Sequence, residues 1–162
     1  MIFLDGWSGE TTDALIALEG THRIDSLVLA FEQALQEKAE SGVLSEVEND
    51  VLAVEALERE INNGGYRQFF ENSSVEFASA IVGALRRIDC PVTADITARA
   101  LSELGMAGTA GPEAIAELLE EENEERDERW SACDGAYYGS GENIAGRLFE
   151  YLKRNRSAVQ LP

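Results

Sequence analysis

Between residues 24 and 40 the apolar side chains Ile24, Leu27, Val28, Phe31, Ala34 and Leu35 return every three or four positions. That period gathers them on one face of an α-helix and does not fit the two-residue alternation of a half-buried strand. The same period recurs along nearly the whole chain. Residues 45–63 open with Ser45 and Glu48 at capping-box spacing and continue with the stripe Val47, Val51, Val54, Leu57 and Ile61. Ser73 and Glu76 repeat that spacing before a face made of Phe77, Ala78, Ile81, Leu85 and Ile88, which the Cys90–Pro91 pair ends. Thr93 is placed to cap the next helix, with Ile96, Ala100, Leu101 and Leu104 inward and Gly105 just past its end. After the loop "GMAGTAGP", Pro112 suits the first turn of a helix running to about Trp130. The glycine-spaced "DGAYYGSGEN" reads as a connection, and Ile144, Leu148, Phe149, Tyr151 and Leu152 form a last amphipathic helix. The expected fold is all-α. Seven to eight helices make one compact domain over residues 1–155, and residues 156–162 fray.

A chain of 162 residues can bury a core without metal or disulfide support. Cys90 and Cys133 stand alone, with no CxxC spacing, and read as reduced thiols. The start "MIFLDGWSGE" lacks a basic n-region, and no long apolar run follows, so a soluble cytoplasmic protein is expected. His22 is the only histidine. No HExxH, Cys/His cluster, nucleophile elbow or phosphate loop is present, so neither metal, cofactor nor catalysis is expected.

Charge is the exceptional property. The chain carries 31 acids against 13 bases, a formal net charge of −18. Nucleic acid and anionic membrane are therefore poor partners, whereas a basic protein would be attracted from a distance. The acids concentrate in residues 1–62, with 14 acids and 3 bases, and in residues 113–129, with 9 acids and 2 bases. Those of residues 45–63 scatter around their helix and read as solvated surface. In the second block, Glu113, Glu117, Glu120, Glu121, Glu124, Asp127 and Glu128 fall within about 120° of arc if one helix carries them all. Glu122 and Arg126 would pair on the opposite side. Seven charges over roughly 22 Å of helix give about one per 3 to 4 Å, close to the roughly 3.4 Å per charge of one DNA strand. Like charges at these spacings destabilise an isolated helix, so stability does not account for the row.

The stretch "INNGGYRQFFENSS", residues 61–74, stands apart as uncharged and aromatic. Asn62, Asn63, Gly64 and Gly65 fall where a helix would end, and Asn and Gly accept the left-handed backbone used there. Phe69 and Phe70 would enter the core. Gln68, Asn72 and Ser73, with the two earlier Asn, can tie off free backbone groups. A structural corner accounts for the stretch better than a small-ligand site.

Together with the later "RDERWSACDGAYY" and "LFEYLKRN", this stretch resembles the DNA-mimic protein domain family over roughly residues 22–155. The resemblance implies a compact, acidic, all-helical domain and, in the characterised case, a homodimer that occupies the DNA-binding surface of a transcription factor. With the carboxylate row, it leads to the expectation of a protein-binding module that blocks a basic DNA-binding protein by imitating DNA. An acidic interaction or immunity-type protein without duplex mimicry is the alternative, and a salt-adapted domain whose charge serves solubility is a third.

Overall fold

Capping chemistry fixes where the long helices begin. The computed structural model describes residues 1–162 and contains nine α-helices, two short 3₁₀ turns and no sheet. In chain order the helices are α1 (Thr12–Ile16), α2 (Ile24–Ser41), α3 (Glu46–Glu71), α4 (Ile81–Arg87), α5 (Pro91–Ser102), α6 (Ala107–Ala110), α7 (Pro112–Leu119), α8 (Glu124–Tyr138) and α9 (Ile144–Arg154). The total exceeds the expected seven or eight partly because the acidic run folds as two helices instead of one. None is long and apolar enough to cross a membrane. The chain divides into two compact units, one of Met1–Glu55 with Asn143–Pro162 and the other of Ala56–Glu142.

In the first unit, α2 packs against α1 and α9. It buries Leu27, Val28, Ala30, Phe31, Ala34 and Leu35, each large side chain contributing about 1.5–3 kcal/mol by leaving water. The capping box at the start of α3 forms. The Glu48 N–H donates to Ser45 Oγ at 3.2 Å, and the Ser45 N–H donates to the Glu48 carboxylate at 2.9 Å. Glu48 is only 1% exposed. It also accepts from Lys38 Nζ at 2.7 Å and from the Gln160 N–H at 2.8 Å. Burial acts to raise its pKa, but the Gln160 N–H, Lys38 and the Ser45 N–H outweigh that effect and hold the carboxyl below its ordinary range.

Two expectations are corrected here. Residues 156–162 do not fray, because Val159 is buried, its carbonyl accepts the Thr12 hydroxyl at 2.8 Å, and Ser45 Oγ donates to the Ala158 carbonyl at 2.7 Å. The acids of residues 45–63 are not uniformly solvated either. Asp50 is buried and accepts the Tyr151 hydroxyl at 2.7 Å, and Glu60, also buried, accepts the Asn72 amide at 2.9 Å.

In the second unit, α4 packs on α5 and α5 on α8. Its core includes Leu57, Ile61, Ile81, Leu85, Ile88, Ile96 and Ile115. The expected caps at Ser73 and Thr93 are replaced. Ser73 opens a 3₁₀ turn, Ser73–Phe77, that has no side-chain cap, and α4 starts only at Ile81. Thr93 lies inside the first turn of α5, and the capping group is a distant carboxylate. Glu142 accepts the N–H of Val92 at 3.0 Å and both the N–H and the hydroxyl of Thr93 at 2.8 and 2.7 Å, where a negative charge also suits the helix dipole. The expected connection after Trp130 is helical as far as Tyr138.

Candidate functional site

The run Glu120-Glu121-Glu122-Asn123 explains why the acidic segment breaks. Carboxylates are unfavourable at a helix C-terminus and favourable in a first turn. Accordingly α7 stops at Leu119, Asn123 Oδ1 accepts the Arg126 N–H at 2.9 Å as the cap of α8, and Glu124, Glu125 and Asp127 occupy the new first turn. A single straight row from Glu113 to Glu128 is therefore replaced by two shorter rows. Within the rotation of α7, Glu113, Glu117 and its C-cap residue Glu120 lie within about 60°, and Glu124 and Glu128 lie within about 40° on α8. Glu121 stands in the link between the helices.

These six carboxylates are exposed, and no basic side chain holds any of them. Asp127 differs. It is half-buried and accepts Arg67 Nη1 at 2.9 Å. The expected Glu122–Arg126 pair on the wet face is also corrected. Arg126 is buried, donates to the Glu121 carbonyl at 3.1 Å and lies 5.1 Å from the centre of the Trp130 ring. The guanidinium thus secures the link against α8, with cation–π attraction added. Trp130 in turn donates its indole N–H to the Ala100 carbonyl at 2.9 Å.

The 61–74 stretch is resolved by a residue that the sequence reading did not select. α3 kinks at Gly65, whose φ is 81°, a conformation only glycine adopts without strain. The next amide, Tyr66 N–H, donates to the Asp134 carboxylate of α8 at 2.8 Å. A Cβ at position 65 would lie 2.2 Å from Asp134 Oδ2, so glycine is needed both for backbone conformation and for the approach of its cap. Asp134 has its pKa raised by burial, with the Tyr66 N–H partly offsetting this. Gly64 remains helical, with Gln68 Oε1 only 1.9 Å from where a Cβ would stand.

The free carbonyls before the kink find partners too. Tyr138 donates its hydroxyl to the Ile61 carbonyl, and the Asn62 amide donates to that of Glu58. Asn63 and Ser73 are exposed, and Asn72 reaches Glu60 as described. Past the kink, Tyr66, Phe69 and Phe70 are at most 1% exposed. Phe70 stands 5.3 Å from Phe69 and 5.2 Å from Trp130 between ring centres, and Tyr66 meets Tyr137 edge-on at 6.2 Å. The Tyr66 hydroxyl is paired with Thr97 Oγ1 at 2.8 Å. The signal for Asp134 was an acid inside "SACDGAYY", but nothing in local spacing links it to a position 68 residues earlier.

Near the kink, Glu58 is the other perturbed acid. Burial alone pushes its pKa up to about 7. The arrangement as a whole offers a basic partner two rows of ionised oxygens on a rigid aromatic base.

No curated protein and no solved structure matches the chain. The model of the DMP19-like protein family matches residues 43–155, a span that includes the kinked α3, its Asp134 cap and both acidic helices, and the chain belongs to that family.

Proposed function

We propose that this chain is a protein-binding module whose α7–α8 carboxylates occupy the DNA-binding surface of a basic protein, standing in for phosphates. The observation that carries this reading is the set of six exposed acids, Glu113, Glu117, Glu120, Glu121, Glu124 and Glu128, that no basic side chain of the chain engages. In a sequence serving stability alone, alternating charges would support these helices by roughly 0.2–0.5 kcal/mol per pair. Asp127 belongs to the same surface but is shared with Arg67. Family membership and the net charge of −18 support the same direction. The role is binding in place of catalysis, in a cytoplasmic protein, and a homodimer is the proposed assembly, to be tested by light scattering.

One observation favours a second reading. The interruption between α7 and α8 removes the straight row on which the spacing match to one DNA strand rested. A basic partner could be neutralised by these acids without any imitation of the duplex.

Proteins captured from the native lysate are to be challenged with duplex DNA. Release of a DNA-binding protein by the duplex supports mimicry, DNA-insensitive capture supports the second reading, and capture of nothing basic overturns both. Glu117, Glu120 and Glu124 changed to Gln should abolish capture. The same change at the exposed acids Glu37, Glu40 and Glu76 should leave most of it.

A further inference from the structure

Two arginines lie on the acidic surface, and each is shared between two acids. Arg67, beyond the kink of α3, donates Nε to Glu71 at 2.6 Å and Nη1 to Asp127 at 2.9 Å. Arg129 of α8 donates Nη1 to Glu103 at 3.0 Å and Nη2 to Glu125 at 2.6 Å. Both side chains are more than half exposed, at 54% and 56%, so both would face an approaching partner.

Their placement around α8 is ordered. With Glu124 taken as zero and about 100° per residue, Glu128 lies near +40°, Asp127 near −60°, and Glu125 and Arg129 near +100° and +140°. One flank is therefore neutralised by Arg67 through Asp127, the other by Arg129 through Glu125 and Glu103. The middle, Glu124 and Glu128, has no cation. On α7 the acids Glu113, Glu117 and Glu120 likewise keep to one side.

We infer that Arg67 and Arg129 are specificity-determining residues of this surface, confining recognition to a partner whose cationic side chains stand in a single row, such as one face of a basic helix. A partner with cations spread over a broad face would bring some of them against Arg67 and Arg129, and like-charge juxtaposition selects against it. The inference rests on the reading of α7 and α8 as a docking surface.

Two synthetic helical peptides of identical Ala, Lys and Gln composition provide the probes, one with its lysines at i, i+4, i+7 and i+11, the other with them spread around the helix. Fluorescence anisotropy at low salt should show the unaltered protein binding the single-row peptide at least about fivefold more tightly, the size expected for a surface charge contact or two. The double variant Arg67→Gln with Arg129→Gln should gain about fivefold for the spread peptide and less than about twofold for the row peptide. Removing the acids instead, Glu125→Gln with Asp127→Asn, leaves both arginines unpaired and should widen the preference for the row.

Circular dichroism and thermal melts verify that each variant is folded, which loss of exposed ion pairs should permit. Binding of both peptides without preference, equal gains in the arginine variant, or a narrowed preference in the acid variant would overturn the role of the arginines while leaving the docking surface intact. Failure of both peptides to bind would overturn the surface as well.

Discussion

The first turn of α3 and the pair α7–α8 are similarly rich in acids, yet their carboxylates have opposite surroundings. Glu48 is enclosed by an ammonium and two backbone N–H groups, and Asp50 holds a tyrosine hydroxyl. Glu113 to Glu128 keep their oxygens in water, apart from the half-buried Asp127. A net charge of −18 is thus no single property. Part of it is structural, spent on satisfying backbone and side-chain donors, and only the remainder is free to act on another molecule.

The largest effect should come from the enclosed side. Glu48→Ala strands the Lys38 ammonium and two N–H groups, and urea melts should register a loss of about 3–5 kcal/mol, as for other broken buried pairs. A loss below about 1 kcal/mol would place Glu48 with the surface acids. The pH dependence has a defined sign. Because the folded pKa of Glu48 lies below its ordinary value of 4.5, its stabilisation is present above that value and is lost as pH falls through the folded pKa. Glu48→Gln should therefore flatten the acid limb of the stability curve below 4.5.

Glu58 sharpens the contrast as a carboxyl that is buried without donors to compensate. Its folded pKa of about 7 lies above the ordinary 4.5, so the neutral form stabilises the fold below 4.5, and that contribution disappears as pH rises through about 7. Glu58→Gln should melt like the unaltered protein near pH 4. At pH 8 it should be more stable, by roughly 3 kcal/mol at most. Identical melting at both pH values would remove Glu58 from the buried class.

A smaller loss is expected at the Gly65 cap. Asp134→Ala should cost about 1–2 kcal/mol, the range for removing a helix-capping oxygen. Asp134→Asn should cost less, because its amide oxygen still accepts the Tyr66 N–H. Equal losses would shift the role of Asp134 from acceptor to charge.

How much of this was legible beforehand follows from what each feature depends on. The stripes of α2, α9 and the first half of α3 depend on local period, and their buried residues were read correctly. The break at Glu120–Asn123 was signalled by Asn123 followed by acids, but a continuous 100° rotation through Glu128 was assumed in its place. The Asp134, Glu142 and Gln160 bonds join positions 68, 49 and 112 residues apart. A carboxylate that reaches a backbone N–H elsewhere leaves no period behind, so these acids could not be told apart from surface charge.

The smallest change in stability should come from the open side. Glu117, Glu120, Glu121, Glu124 and Glu128 changed together to Gln should leave the unfolding free energy unchanged or raise it slightly, since each relieved like-charge pair returns roughly 0.2–0.5 kcal/mol. A loss above about 2 kcal/mol in urea would make these acids structural too and erase the contrast.

Glu48 and Gln160 lie 112 residues apart in the chain. On a ribosome adding roughly 5 to 20 residues per second, the carboxylate waits about 6 to 22 s for its last donor to be made. Throughout that interval every residue of Ala56–Glu142 is synthesised as one uninterrupted stretch, whereas the other unit lacks Asn143–Pro162. Protease added to ribosome-bound chains in that window should cut within residues 1–55 faster than within 56–142. The acidic helices would then be ready for a partner while the molecule that bears them is still being made.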